Sequence, residues 1–162
     1  QGTIGLEIFE YLKKIEYVII GVGGGGLISG ISSVLKTLNP KIKIIGVEPI
    51  NSNVISKSLI SNKTEFLSSN ITIADGLAAP FAGNITLKYI KKFVDKVVCV
   101  KESEIKNSLK QIIKNEKLIV EPAAAATIAA LVYDKISIPK KSNVLCLMCG
   151  SNIDTEFLKK LL

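Results

Sequence analysis

Apolar residues recur at Ile4, Ile8, Tyr11 and Leu12, the spacing of one helical face, and predict a helix over residues 3–14. The short apolar run at 17–20 predicts a buried strand. A glycine run follows, then a helix to about residue 38, where Asn39-Pro40 stops it. Residues 41–47 predict a second buried strand, which completes a β-α-β unit and with it a parallel sheet with a right-handed crossover. The Asn- and Ser-rich stretch 51–70 suits a linker, with Ile55 and Leu59 spaced for one short surface helix. Asn84 is placed to cap a helix over 84–93, and residues 96–100 predict a third strand. Ile105, Leu109, Ile112 and Ile113 mark an amphipathic helix with Glu102 and Glu104 in its first turn. Pro122 opens an Ala-rich helix to about 133, residues 143–148 form a strand, and 154–162 a last helix. The pattern is that of an α/β domain without internal repeats.

Residues 17–35 carry no charge, so their length alone would suit a membrane span. Four successive glycines in the middle make a poor helix, and strand, loop, helix is the better account. The absence of histidine removes Ser-His-Asp and Cys-His catalysis and His-ligated metals from this chain. The net charge of +7 comes entirely from lysine, with no arginine to read base edges, and the lysines are spread along the chain. They describe a solvated basic surface, not a nucleic-acid stripe. Three cysteines, Cys99, Cys146 and Cys149, lie in or beside apolar runs. An odd number in such places argues for a reducing compartment, the cytoplasm, over a disulfide framework. Cys146 and Cys149 form a Cys-x-x-Cys, yet a strand would point them to opposite faces.

The chemistry is concentrated in Gly21-Val22-Gly23-Gly24-Gly25-Gly26-Leu27, between a strand and a helix. Glycines let successive amides turn toward one point, and the helix N-terminus adds partial positive charge, which together make a phosphate cradle. Gly21, Gly23 and Gly26 match Gly-x-Gly-x-x-Gly, and Glu48 ends the next strand where a ribose-binding acid would stand. A dinucleotide-binding unit is therefore one reading. A Walker loop is not, because no Gly-Lys-Ser/Thr follows.

Six segments in order carry a further resemblance: QGTIGLEI at 1–8, VGGGGLISGI at 22–31, GVEP at 46–49, TIADGLAAPFAG at 72–83, LIVEPAAAA at 118–126 and CGSNID at 149–154. The chain resembles the fold-type-II pyridoxal-phosphate enzymes, most closely the threonine ammonia-lyases (threonine dehydratases) and their relatives the serine racemases. The resemblance implies an incomplete three-layer α/β domain on a mainly parallel sheet, like the large domain of the tryptophan-synthase-β type. Residues 1–162 would be the C-terminal portion of the catalytic domain, without the N-terminal segment and small domain.

The resemblance also implies site residues. The amides of Gly23, Gly24, Gly25, Gly26 and Leu27 would hold the phosphate of pyridoxal 5'-phosphate, and Cys149 would face the pyridine nitrogen. Glu121, before Pro122, falls near the cofactor in the family; capping of the Ala-rich helix is an equal account of it. A divalent cation would take the Glu48 carboxylate and the Ser52 backbone carbonyl, with Asn84 in an outer shell, while the position of a second carboxylate holds Val54. The lysine that binds the cofactor would lie upstream, and none of the 21 lysines stands in a matching motif. The implied activity is β-elimination from threonine or serine to a 2-oxo acid and ammonia, as in isoleucine biosynthesis or amino-acid deamination. Serine racemisation on the same scaffold and a non-catalytic remnant are the alternatives. A small amino acid as substrate, a homo-oligomer, and neither nucleic acid nor membrane complete the expectations.

Overall fold

The computed structural model describes residues 1–161. Its elements are α1 (Gly2–Tyr11), β1 (Tyr17–Gly21), α2 (Gly26–Leu38), β2 (Lys43–Pro49), α3 (Val54–Ser61), α4 (Asn84–Phe93), β3 (Lys96–Val100), α5 (Glu102–Gln111), α6 (Pro122–Val132), β4 (Val144–Leu147) and α7 (Thr155–Leu161). The four strands form one parallel sheet in the order β3-β2-β1-β4. The chain steps outward from β1 to β2 and β3, then returns to the other side of β1 for β4. That reversal between β1 and β4 is the sheet's topological switch point.

Alternation along the strands feeds two cores. Val18, Ile20 and Ile44 pack with Ile28, Ile31 and Leu35 of α2 and with Ile55 and Ile90 on one face. Ile19, Ile45, Val47 and Val100 pack with Ile105 and Leu109 of α5 and the alanines of α6 on the other. A strand turns successive side chains to opposite faces, so continuous apolar runs such as 17–20 can fill both cores at once. Helices on both faces make the three layers the sequence implies. Among the described residues no helix is long and apolar enough to cross a membrane; the uncharged 17–35 run divides into β1, the glycine loop and most of α2.

Several boundaries differ from expectation. Helix α1 ends at Tyr11, because Leu12 leaves helical geometry (φ −118°, ψ 73°) ahead of the exposed Lys13-Lys14 turn. The helix in the 51–70 stretch is no surface helix: Val54 and Ile55 of α3 are fully buried. Asn84 is the first residue of α4, not its cap; Gly83 holds the cap position and no side chain bonds there. The amphipathic α5 continues as a π-helical turn, Ile112–Glu116. Helix α7 ends among the described residues at Leu161, and residue 162 lies outside them.

Asp95, just ahead of β3, ties three elements together. Its carboxylate accepts hydrogen bonds from the Ile44 amide at 2.8 Å and Lys43 Nζ at 3.1 Å, and pairs with Lys36 Nζ at 2.6 Å. Burial alone would raise its carboxyl, but the Lys36 ammonium, the Ile44 amide and Lys43 outweigh burial and hold it below its ordinary 3.8. A depressed folded-state value means stability that is full above 3.8 and lost as pH falls through the folded value. Asp95→Asn should therefore lower unfolding free energy by about 1–2 kcal/mol at neutral pH. In urea titrations at a series of pH values, the gap from the parent protein should close below 3.8. A gap of constant size across that range would show that Asp95 carries no charge-dependent stability.

Candidate functional site

The glycine loop begins where β1 runs out. The Val22 amide still donates to the Val47 carbonyl at 2.8 Å, and the chain then passes through Gly23–Gly26 into α2. Gly25 is the N-cap of α2, in the left-handed region with φ 89°, which glycine adopts without the steric cost of a Cβ. A Cβ there would also stand 2.8 Å from Ile90 Cδ1. Gly23 is also confined, since a Cβ there would stand 3.2 Å from Leu77 Cα, but Gly24 and Gly26 differ. A Cβ on Gly24 would meet its first neighbours only at 3.9 Å and 4.0 Å, and one on Gly26 would meet nothing within 4 Å. Helix α2 has no acidic residue in its first turn and no side-chain cap. Its leading amides and the positive end of its dipole are thus left to the cavity of about 170 Å³ that the loop lines together with Gly76 and Leu77.

A second cavity, about 210 Å³, shares the wall made by Gly21, Leu27, Gly76 and Leu77 and adds Glu121, Ala123, Leu147, Cys149 and Gly150. The cause is topological. Ile20 of β1 pairs with Leu147 of β4, so the glycine loop and Cys149 leave adjacent strands at their carboxyl ends. This is the crevice at a switch point where open α/β sheets bind ligands. Cys149 is exposed and lies two residues past the end of β4, so the strand-face account of Cys146 and Cys149 does not reach it. Burial pushes the Cys146 thiol up to about 11, which keeps it protonated and unreactive.

Glu121, left undecided by the sequence, lines this second cavity. It occupies the N-cap of α6 but its side chain makes no capping bond. Instead Oε1 accepts from the Asn152 amide at 2.8 Å, and the Glu121 amide donates to the Gly150 carbonyl at 3.1 Å. A Cβ on Gly150 would stand 2.5 Å from Glu121 Oε2. Glu121 therefore braces the turn that carries Cys149. The available signal was a carboxylate directly before an N-terminal proline, which caps poorly with a long side chain.

The expected cation positions fall on three elements: Glu48 in β2, Ser52 in the single turn after it and Asn84 at the start of α4. Glu48 lies within β2 and is fully buried. Its Oε1 accepts from the Ile55 amide at 2.8 Å, and its Oε2 from the Ser56 amide at 2.9 Å and Ser56 Oγ at 2.6 Å. Burial, opposed by those bonds, raises its carboxyl above the ordinary 4.5. Both oxygens cap α3, and the fully buried carboxylate presents no exposed acceptor to a ribose, which counts against the dinucleotide reading. The buried Ser52 hydroxyl donates to the Leu77 carbonyl at 3.1 Å. Asn84 is exposed at the start of α4. Among the described residues no three of His, Cys, Asp and Glu are grouped as a metal ion needs.

Residues 1–150 match the family described as pyridoxal-phosphate dependent enzyme. Over its full length the chain is 39% identical to the L-threonine ammonia-lyase of Thermotoga maritima, covering 40% of that protein. The catabolic L-threonine dehydratase of Escherichia coli is 38% identical over 155 residues, 95% of this chain and 47% of that one. The chain thus spans about half the length of the curated relatives it matches. Two solved structures superpose with a TM-score of 0.90: the processed form of threonine deaminase isoform 2 from Solanum lycopersicum and maize serine racemase. Their identities are 35% and 34%, covering 99% and 98% of this chain and 47% and 49% of theirs. By its matched sequence and its superposed fold alike, the chain belongs to the pyridoxal-phosphate-dependent enzymes.

Proposed function

We propose that this chain is the cofactor-gripping part of a pyridoxal-phosphate-dependent ammonia-lyase that acts on threonine or serine. The observation that carries the proposal is the pair of adjoining cavities at the β1/β4 switch point. One is lined by backbone amides at a helix N-terminus, the other by Cys149, and they share a wall. Such a pair fits a ligand with a phosphate at one end and a ring at the other. The cradle has the open space a phosphate needs, since Cβ atoms on Gly24 and Gly26 would meet no close neighbour. The L-threonine relatives supply the substrate class.

Gly23, Gly24, Gly25, Gly26 and Leu27 would hold the phosphate through their amides, with the α2 dipole adding attraction for its charge. Leu27 and Leu77 line both cavities and would give the ring an apolar wall. Cys149 would stand against the ring nitrogen as a weak, neutral donor, and Glu121 holds the Cys149 turn in place through Asn152. The bound cofactor supplies an electron sink for removal of the α-proton and loss of the β-hydroxyl. The lysine base for that proton is assigned outside this chain, because no lysine lines either cavity among the described residues.

Two measurements test the proposal. Pyridoxal phosphate added to the purified chain should change its absorbance and saturate, whereas NAD should not compete. Threonine-dependent 2-oxobutanoate should be absent with the chain alone and should arise when the upstream half of the Thermotoga maritima relative is supplied. D-serine without 2-oxo acid would favour the racemase reading that the maize structure supports. Saturable NAD binding without pyridoxal phosphate binding would overturn the assignment.

A further inference from the structure

The glycine loop is held from behind by α4. Thr86 Oγ1 lies 2.9 Å from the Gly24 carbonyl and 2.9 Å from the Gly83 carbonyl, and its one hydroxyl proton is shared between them. The contact joins residues 62 positions apart. Ser29 Oγ, in the first turn of α2, donates to the Thr86 carbonyl at 3.2 Å. The hydrogen bonds thus run both ways across this contact: α4 bonds to the loop, and α2 bonds to α4.

We infer that Thr86 is a positioning residue whose hydroxyl fixes the Gly24–Gly25 peptide so that the Gly25 amide faces the phosphate. The inference rests on the proposed phosphate role of the glycine loop. The reasoning is geometric. In a trans peptide the C=O and the following N–H point in opposite directions. With the Gly24 carbonyl turned to Thr86, the Gly25 N–H is turned away from α4. Gly25 lines the cradle cavity, and Thr86 is not among its lining residues. Glycine-rich backbone has many accessible conformations, so a peptide between two glycines needs an external hold to keep one orientation. Thr86 also packs close behind the loop, since a Cβ added at Gly25 would lie 3.2 Å from Thr86 Cβ. A threonine therefore supplies both packing and the donor. Thr86 touches no cofactor atom on this account and acts only through the loop.

The test separates the hydroxyl from the packing and the phosphate from the ring. Thr86→Val keeps the side-chain shape and removes the donor; Thr86→Ser keeps the donor. Affinities for pyridoxal phosphate and for pyridoxal, which lacks the phosphate, are measured by absorbance titration. Thr86→Val should weaken pyridoxal phosphate binding about fivefold to tenfold, the scale of one net hydrogen bond, and leave pyridoxal unchanged. Thr86→Ser should bind both as the parent protein does. The phosphorus NMR shift of bound pyridoxal phosphate should move in Thr86→Val and be restored in Thr86→Ser. If Thr86→Val does not fold, Thr86→Ala against Thr86→Ser isolates the hydroxyl in the same way. Equal loss for both ligands, or no loss for either, overturns the positioning role while leaving the cradle assignment in place. A parent protein with no preference for pyridoxal phosphate over pyridoxal overturns the cradle assignment itself, and the role of Thr86 with it.

Discussion

Gly25→Val should lower the unfolding free energy by about 2–5 kcal/mol and abolish pyridoxal phosphate binding, whereas Gly24→Val should leave stability nearly unchanged and still weaken binding. The two sites differ for steric reasons. Gly25 stands at φ 89°, where a Cβ meets the following carbonyl, at a cost of roughly 1–2 kcal/mol. A β-branched side chain there would also overlap Ile90 Cδ1, which a Cβ would approach to 2.8 Å, adding roughly 1–3 kcal/mol of overpacking. Gly24 is exposed, has no positive φ, and would give a Cβ 3.9 Å of clearance from Ala79 Cβ. Its side chain would add bulk to the loop that lines the cradle cavity. Urea unfolding of the cofactor-free proteins reads the first effect, and paired titrations with pyridoxal phosphate and pyridoxal read the second. A Gly24→Val protein with unchanged pyridoxal phosphate affinity would remove Gly24 from the cradle.

The sequence treats the four glycines as one unit, and the structure divides their labour. Successive glycines announce close approach by a ligand but do not reveal which one turns the chain, since that depends on Ile90 and Thr86, more than sixty residues away. The same distance effect governs Glu48. A carboxylate near the end of an apolar strand resembles a ligand, and Gly-x-Gly-x-x-Gly upstream strengthens that impression. The strand in fact runs through to Pro49, and a single turn at Ile50–Ser52 folds α3 back so that its first amides meet the carboxylate. Local pattern carried the strands well because parallel strands buried on both faces are continuous apolar runs with abrupt ends. It carried the burial of α3 poorly, because that helix is capped by a carboxylate reaching from β2, whereas for α4 only the cap moved, by one residue from Asn84 to Gly83. Glu121 shows the limit from the other side: its neighbours in sequence suggest a helix cap, and only the turn after β4 shows what it holds.

Cys149→Asp should slow β-elimination on the order of a hundredfold, about 2.7 kcal/mol of barrier, in an enzyme that also carries the catalytic lysine. Cys149→Ser should stay within roughly tenfold of the parent, about 1.4 kcal/mol. A thiol and a hydroxyl are both small neutral donors, so either leaves the ring nitrogen without a held proton. An aspartate about 3 Å from that nitrogen would hold a proton on it, because opposite charges stabilise each other in a poorly solvated site. With a proton held there the bound group would supply a stronger electron sink, which would disfavour loss of the β-hydroxyl. Product should shift from 2-oxo acid toward racemised amino acid, and the absorbance of the bound cofactor should move. The structure adds a consequence for the cofactor-free protein. Cys149 shares its cavity with Glu121, whose Oε1 is held by Asn152 and whose Oε2 lies beside Gly150. A second carboxylate there meets a like charge, so Cys149→Asp should be less stable than Cys149→Ser without cofactor, and pyridoxal phosphate should recover more stability in the aspartate variant. Cys149→Ala removes the donor without adding charge and should fall between them in rate. If Cys149→Asp matched Cys149→Ser in rate, product and spectrum, Cys149 would not face the ring nitrogen, and its place beside Glu121 would be one of packing alone.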